Sequence, residues 1–284
     1  MAVEGFQHRR GLGVDGVCGA QTWNTLVEAG FSLGDRFLYR RTPMLRGDDV
    51  ADLQQRLGAL GFDAGRVDGI FGDLTQSALG EFQRNAGLPV DGIVGATTLQ
   101  ELARVQARHD QPELVSTVRA RERLRQAPPT LAGRHLAVGE AGGLGTTVAA
   151  LRRRLAGAGA KVTSLHHPDG SAQASEANAA GVDVYLALRL NPERAGCATA
   201  YYAGYHTDSP GGHRLAELIQ QAVPNALGVP DRGATGMSVP VLRETRMPAV
   251  IVEVGPAAAV VEQGPALAAA LVSALARWAG STWD

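Results

Sequence analysis

The residues best suited to metal or acid–base chemistry lie in the carboxyl two thirds of the 284-residue chain. His166 and His167 are adjacent, His206 and His213 flank a glycine-rich loop, and Glu140 precedes Ala141-Gly142-Gly143. A catalytic zinc takes about three protein ligands and keeps one position open. Adjacent histidines on a strand point to opposite faces, so His166 and His167 do not chelate together. Glu140 alone is one carboxylate, which is insufficient. The histidines therefore read as solvated loop residues, and Arg243-Glu244 and Arg246 as ion-paired loop residues. Cys18 and Cys197 make no disulfide framework, and no CxxC metal spacing exists.

The elements that would position these groups follow from periodicity. Residues 105–130 are charged and helical in pattern up to Arg125 and end at Pro128-Pro129, which reads as a linker helix. Strands are expected at Arg134–Val138, Ala160–Leu165, Val182–Leu190, Thr199–Ala203 and Ala249–Val254, with Val239–Arg243 short and extended. Helices are expected at Val148–Ala158, Ala172–Ala180, His213–Val223 and Gly264–Trp278. Strands alternating with helices give an α/β sheet covered on both faces.

Length allows two domains at about 100–200 residues each. With 45% hydrophobic and 19% charged residues the chain can bury cores. Lys+Arg 27 against Asp+Glu 28 gives a net charge of −1, which argues against nucleic-acid binding. Lys161 is the lone lysine; the arginine-, alanine- and glycine-rich composition suggests a GC-rich bacterial genome. No run of about eighteen apolar residues provides a membrane span. Met1 is followed by Phe6-Gln7-His8-Arg9-Arg10, with no basic-then-apolar leader, so the chain as written is expected in the cytoplasm. A wall or extracellular location follows if the true amino terminus lies upstream.

The amino-terminal third is a repeat. Phe6-Gln7-x3-Gly11-Leu12-x-Val14-Asp15-Gly16-Val17-Cys18-Gly19-Ala20-x-Thr22-Trp23-x2-Leu26 returns as Phe82-Gln83-x3-Gly87-Leu88-x-Val90-Asp91-Gly92-Ile93-Val94-Gly95-Ala96-x-Thr98-Leu99-x2-Leu102. A shorter echo is Val67-Asp68-Gly69-Ile70-Phe71-Gly72-x2-Thr75. Asp-Gly is a turn dipeptide in which glycine supplies positive φ, so Asp15, Asp68 and Asp91 mark turns. Val50-x2-Leu53-x3-Leu57-x2-Leu60 is a helix stripe ended by Gly61. Residues 47–104 thus predict three short helices joined by two Asp-Gly turns. The first copy lacks the helix that should cover Phe6, Leu12 and Trp23; either the true start lies upstream or residues 1–30 borrow another surface, and residues 1–30 are not expected to fold alone.

This segment resembles the peptidoglycan-binding repeat of bacterial wall enzymes (the PG_binding_1 type). The resemblance rests on Gly47 through Leu53-Gln54, the Val67–Gly72 turn, Phe82-Gln83, and Gly87 through Gly95. It implies a small all-α module at 44–104 and a partial one at 1–30, with sugar or peptide contacts from residues outside the patterned positions.

From about Leu131 to Trp278 the chain resembles the zinc-dependent type-3 N-acetylmuramoyl-L-alanine amidases. The carrying residues are Ala177-Asn178-x2-Gly181-Val182-Asp183, the run Tyr185–Asn191, Tyr201-Tyr202, and Leu242-Arg243-Glu244-Thr245-x-Met247-Pro248 through Gly255. The resemblance implies an amidase-type sheet over residues 131–284, with helices on both faces, preceded by the all-α repeats. It also implies a zinc site, whose ligand positions fall on other residue types here. The histidine of the family's first turn falls on Ala141, and the helix that should open with a glutamate opens with Thr146-Thr147. The second histidine falls on Arg189 within Ala187-Leu188-Arg189-Leu190-Asn191. The family's general-base glutamate survives as Glu253. A unit charge about 4 Å from a dication costs roughly 8 kcal/mol at an effective dielectric near 20, so Arg189 opposes a metal.

The chain resembles the degenerate CwlM-type proteins of actinobacteria, which combine the same two modules, and that resemblance with these substitutions implies a pseudo-amidase without cofactor. Its implied role is a sensor or regulator of cell-wall metabolism that recognises a peptidoglycan fragment or a wall-synthesis protein. The alternative is an active zinc amidase cleaving the bond between N-acetylmuramic acid and L-alanine. In the former metal pocket Arg189 and Glu253 are expected to converge as an ion pair, joined by Glu140. Asn191 and Arg243 are further pocket candidates.

Overall fold

The computed structural model describes residues 2–106, 114–204 and 207–283. These residues divide into two compact units, one of described residues up to Glu122 together with Thr207, the other from Arg123 to Gly204 and from Asp208 onward.

The first unit contains α1 (Ala2–Arg9), α2 (Ala20–Glu28), α3 (Asp48–Ala59), α4 (Asp73–Asn85) and α5 (Ala96–Gln106). Helix α3 places Asp48 and Asp49 in its first turn, where negative charge suits the helix dipole. Its stripe Val50, Leu53 and Leu57 is fully buried with Phe71, Leu79, Phe82, Val94 and Leu102. Burying each such side chain contributes roughly 1.5–3 kcal/mol. Leu38, in the segment between α2 and α3, bridges Val94 and is also fully buried.

The turns are held by a device that recurs three times. Gln54 Nε2 donates to Asp68 Oδ1 (2.9 Å), the Ile70 carbonyl (3.1 Å) and Thr75 Oγ1 (3.1 Å), while its Oε1 accepts from the Asp68 and Gly69 amides. Gln83 bonds Asp91, the Ile93 carbonyl, Thr98 and the Gly92 amide in the same way. Gln7 repeats the pattern with Asp15, the Val17 carbonyl, Thr22 and the Gly16 amide. Each aspartate also accepts from the amide two residues on, at Val17, Ile70 and Ile93, closing an Asx turn. Those amides, then the glutamine, hold the Asp15 and Asp91 carboxyls below the ordinary aspartate range. The glutamines recur in the motif after Phe6, Leu53 and Phe82, and the structure adds their role as clamps of the turns.

The half copy buries one of its three unmatched apolar residues. Leu12 is buried, its amide bonded to the Gln7 carbonyl, because the clamp folds the α1–α2 connection back on itself. Phe6 is half-buried and Trp23 is exposed.

Helix α6 (Val115–Gln126) buries none of its residues; residues 107–113 of the expected linker lie outside the described residues. The second unit continues with β1 (His135–Glu140), α7 (Gly145–Gly157), β2 (Lys161–His166), α8 (Gly170–Ala180), β3 (Val184–Leu190) and β4 (Gly196–Tyr202). Then come α9 (Pro210–Leu227), β5 (Asp231–Met237), α10 (Pro240–Arg243), β6 (Ala249–Gly255), α11 (Ala257–Glu262) and α12 (Gly264–Ala279). One six-stranded sheet has the order β2-β1-β3-β6-β4-β5, parallel throughout except where β4 meets β6.

Alternation along the strands divides the sheet's residues between two cores. Leu136, Val138, Val184, Leu186, Leu188, Val250 and Val252 face α7, α9 and α12. Ala137, Tyr185, Ala187, Ala249 and Ile251 face α8 and α10. The molecule is α/β, a sheet with helices on both faces after an all-α region. Three elements depart from the periodicity reading. Val239–Arg243 is not extended: Pro240 starts a helical turn. Strand β5 and helix α11 went unpredicted; β5 reads Asp-Arg-Gly-Ala-Thr-Gly-Met and is a largely exposed edge strand, so burial imposes no alternation on it.

Candidate functional site

Strands β1, β3 and β6 are parallel neighbours, so their carboxyl ends open on one side of the sheet. The order reverses between β1 and β3, with α7 and α8 on opposite faces. Open α/β sheets bind ligands in the crevice at such a point.

Register places Arg189 beside Glu253 on the α8 face, two residues after Ala187 and Ile251. The expected ion pair does not form. Glu253 is half-buried and its Oε1 accepts from Asn191 Nδ2 at 2.9 Å. Asn191 is fixed in turn: its Oδ1 accepts from the Glu193 and Arg194 amides, and its own amide bonds the Val254 carbonyl. A short, preset amide thus satisfies the carboxylate. The long Arg189 side chain is exposed at the strand end, where water solvates it, and no carboxylate among the described residues pairs with it.

Glu140 does not join the pocket either. Alternation in β1 sends it to the α7 face, where Oε2 accepts from the Leu144 amide at 3.0 Å at the amino end of α7. Its Oε1 lies 3.4 Å from His166 Nδ1, its register partner on β2. The carboxylate thus serves a helix amino terminus, which favours negative charge. Ala141 is exposed in the turn, where Gly142 and Gly143 adopt φ of 124° and 83°. Helix α7 begins at Gly145; Thr146 is exposed and Thr147 is buried facing α12, where a Cβ on Gly264 would lie 3.2 Å from its hydroxyl.

The remaining motif residues build walls. Asn178 Nδ2 donates to the Glu244 carbonyl and its Oδ1 accepts from the Arg246 amide, tying α8 to the loop before β6. Asp183 accepts from the His135 amide at 2.7 Å. Tyr185 donates to Gln173 Oε1, and Gln173 Nε2 donates to the Glu140 and His167 carbonyls. Burial pushes the Tyr185 phenol far above its usual range. That hydroxyl occupies the space above Gly139, where a Cβ would sit 2.1 Å from it. Gly255 is required in the same way: its Cβ would meet the Asn191 carbonyl at 2.1 Å. Arg243 ends α10 on the Glu253 side of the sheet. His167 accepts from the Asp169 amide, and His213 stacks on Tyr201 at 4.2 Å; His206 lies outside the described residues.

The residues at this site do not fit a catalytic zinc. Position 141 offers a methyl group, position 189 a cation, and Thr147 points into the opposite layer. Among the described residues, no three of His, Cys, Asp and Glu gather where they could hold a metal.

Comparison with known proteins fixes the lineage. Residues 46–102 match the peptidoglycan-binding domain family (PG_binding_1), and residues 140–259 the N-acetylmuramoyl-L-alanine amidase family (Amidase_3). The N-acetylmuramoyl-L-alanine amidase CwlM of Mycobacterium tuberculosis is 34% identical, over 89% of this chain and 70% of its own length. The chain belongs to the N-acetylmuramoyl-L-alanine amidase family. The amidase-family match lies in the second unit and the wall-binding match in the first, in the order read from the sequence. A spore cortex-lytic enzyme of Bacillus cereus is 53% identical over 58 residues, covering 20% of this chain and 22% of that protein. The crystal structure of the amidase Ami1 of Mycobacterium smegmatis superposes with a TM-score of 0.47 at 16% identity, over 54% of this chain and 100% of that one.

Proposed function

We propose that this chain is a non-catalytic member of its family, a peptidoglycan- or muropeptide-recognising protein that senses or regulates cell-wall metabolism. The observation that carries the reading is Arg189. It stands at the carboxyl end of β3, where the family resemblance places a metal-binding histidine, and its charge opposes a divalent cation. Ala141 and the inward Thr147 support the same reading. Glu253, held by Asn191, remains a carboxylate, but alone it neither lowers a water pKa nor polarises an amide carbonyl. The crevice keeps an acceptor (Glu253), a cation (Arg189) and the Arg243 side of α10, groups suited to hold the charged and amide portions of a muropeptide as ligand.

The test is elemental analysis of the purified full chain with a muropeptide cleavage assay. The expected result is no stoichiometric zinc and no cleavage, with muropeptide binding weakened in Arg189→Ala. Zinc near one equivalent, lost together with cleavage on chelation, overturns the proposal and establishes the active amidase that Glu253 would serve. Cell fractionation separates a cytoplasmic regulator from a wall-bound module.

A further inference from the structure

Residues 36–40, between α2 and α3, alternate in what they touch. Arg36, Leu38 and Arg40 tie the segment to the complete repeat. Arg36 Nε pairs with Asp49 Oδ2 at 2.7 Å, and its Nη2 donates to the Arg46 carbonyl at 2.6 Å. Leu38 is fully buried, and its carbonyl accepts from the Val94 amide at 2.8 Å. Arg40 Nε lies 2.7 Å from Asp73 Oδ1. Phe37 and Tyr39 take the other side of the bridge and are 66% and 40% exposed. Phe37 rests on Gly95, where a Cβ would lie 3.3 Å from its Cε1. The antiparallel bridge that sets Leu38 opposite Val94 sets Tyr39 opposite Ile93, which is also exposed.

The same repeat contains a twin of this bridge. The Leu45 carbonyl accepts from the Phe71 amide at 2.9 Å, as Leu38 accepts from Val94, and Arg46 bridges Ile70. Phe71 and Val94 hold the same place after the Asp68 and Asp91 turns. Leu45 is flanked by Met44 and Arg46, where Leu38 is flanked by Phe37 and Tyr39. The fold thus closes such a bridge without aromatic residues, and closure does not account for Phe37 and Tyr39. Paired rings held at the surface on a fixed segment suit a ligand, and the hydroxyl of Tyr39 adds a polar handle.

We propose that Phe37 and Tyr39 form a stacking platform for the sugar rings of the peptidoglycan glycan. The proposal rests on the wall recognition argued above, not on the loss of catalysis, and it places the glycan contact in the first unit. A pyranose ring presents a face of C–H bonds, which packs on the negative face of an aromatic ring while its hydroxyls stay in water. Side chains two residues apart on a strand stand about 7 Å apart, close to the step between neighbouring sugars of a chain. Phe37, Tyr39 and Ile93 are far fewer than the roughly 20–30 residues each side of a protein interface uses, so the size of the patch favours a glycan over a protein. The anchors at Arg36, Leu38 and Arg40 preset the platform, which lowers the ordering cost of binding.

The probe is a peptide-free tetrasaccharide of alternating N-acetylglucosamine and N-acetylmuramic acid, titrated with the full chain and followed by NMR. Saturating the protein's aromatic protons should transfer to the sugar ring protons, and these should move upfield, the ring-current signature of stacking. Phe37→Leu and Tyr39→Leu keep an apolar side chain but lose the ring, and each should raise Kd roughly tenfold. Both positions are exposed, so the melting temperature should hold, and Tyr39→Phe should keep most of the affinity. Equal glycan affinity in the leucine variants overturns the proposal. So does binding of a muropeptide without binding of the peptide-free glycan, a result that leaves the wall-recognising function standing. Binding of neither overturns both. A concentration-dependent doubling of mass abolished by Phe37→Ser also overturns the proposal, by assigning the platform to a second copy.

Discussion

Replacing Gln54 with leucine tests the clamp as the determinant of the complete repeat. The side chain is 2% exposed and makes five hydrogen bonds. Leucine fills similar space but leaves the buried Gly69 amide and Ile70 carbonyl without this partner. An orphaned buried polar group costs about 1–3 kcal/mol. The Asp68 amide is only partly buried and recruits water, and leucine returns some apolar burial. The net loss is therefore about 3 kcal/mol, or roughly 10 °C in the melting of a unit of this size. Hydrogen exchange across residues 48–85 reads the first unit separately from the second. Gln7→Leu is the control, because the same bonds there support no core; it should change protection of 48–85 by less than about 0.5 kcal/mol, as distant sites do. A loss under about 1 kcal/mol in Gln54→Leu, or equal losses in both variants, refutes the reasoning.

Gly139→Ala drives a methyl into Tyr185 Oη and should cost about 1–3 kcal/mol, with Tyr185→Phe relieving part of it in the double variant, read by denaturant unfolding. Arg189→Ala should change stability by less than about 0.5 kcal/mol, as expected for an exposed, unpaired charge; a loss of 3 kcal/mol or more would reveal a buried pair. The Asp91 carboxyl is held below 3.8 by the Ile93 amide and then Gln83, so its stabilising effect is present above that value and fades as pH falls through the folded pKa. An NMR titration midpoint above 3.8 contradicts this, and Asp91→Asn should flatten the acid limb of the first unit's stability. Burial pushes the Cys197 thiol up to about 12, so a thiol reagent near pH 8 should label Cys18 in the native protein and Cys197 only after unfolding.

The fold was largely legible because its core elements carry strong periodicity: Val184–Leu190 and Ala249–Gly255 are apolar runs, and α3 carries an unbroken stripe. Strand β5 was not legible, since glycine and alanine at an exposed edge leave no alternation to read. The substitutions at Ala141 and Arg189 were visible as residue types. Their geometry was not, because the competition between Asn191 and Arg189 for Glu253 depends on a loop whose shape is set by bonds from Asn191 to the Glu193 and Arg194 amides. Likewise the parity of β1, which sends Glu140 to the far face, follows from register. The glutamines stood in the recurring motif of every copy, but their role as clamps depends on which turn amides and carbonyls the fold brings to them, and that is not written in the spacing.

The place of β6 in the sheet has a consequence for synthesis. It lies between β3 and β4, although the chain reaches it only after β4, α9, β5 and α10. While residues 249–255 are still inside the ribosome, β3 and β4 each present a bare hydrogen-bonding edge, and β3 is apolar on both faces. Such edges template pairing between chains. The first unit, closed by local turns, can fold early as it emerges, whereas the second must wait for its keystone strand. Release of nascent chains ending before Ala249 should therefore yield a folded amino-terminal unit attached to an aggregating remainder, and chaperone demand during translation should fall once β6 has cleared the exit tunnel.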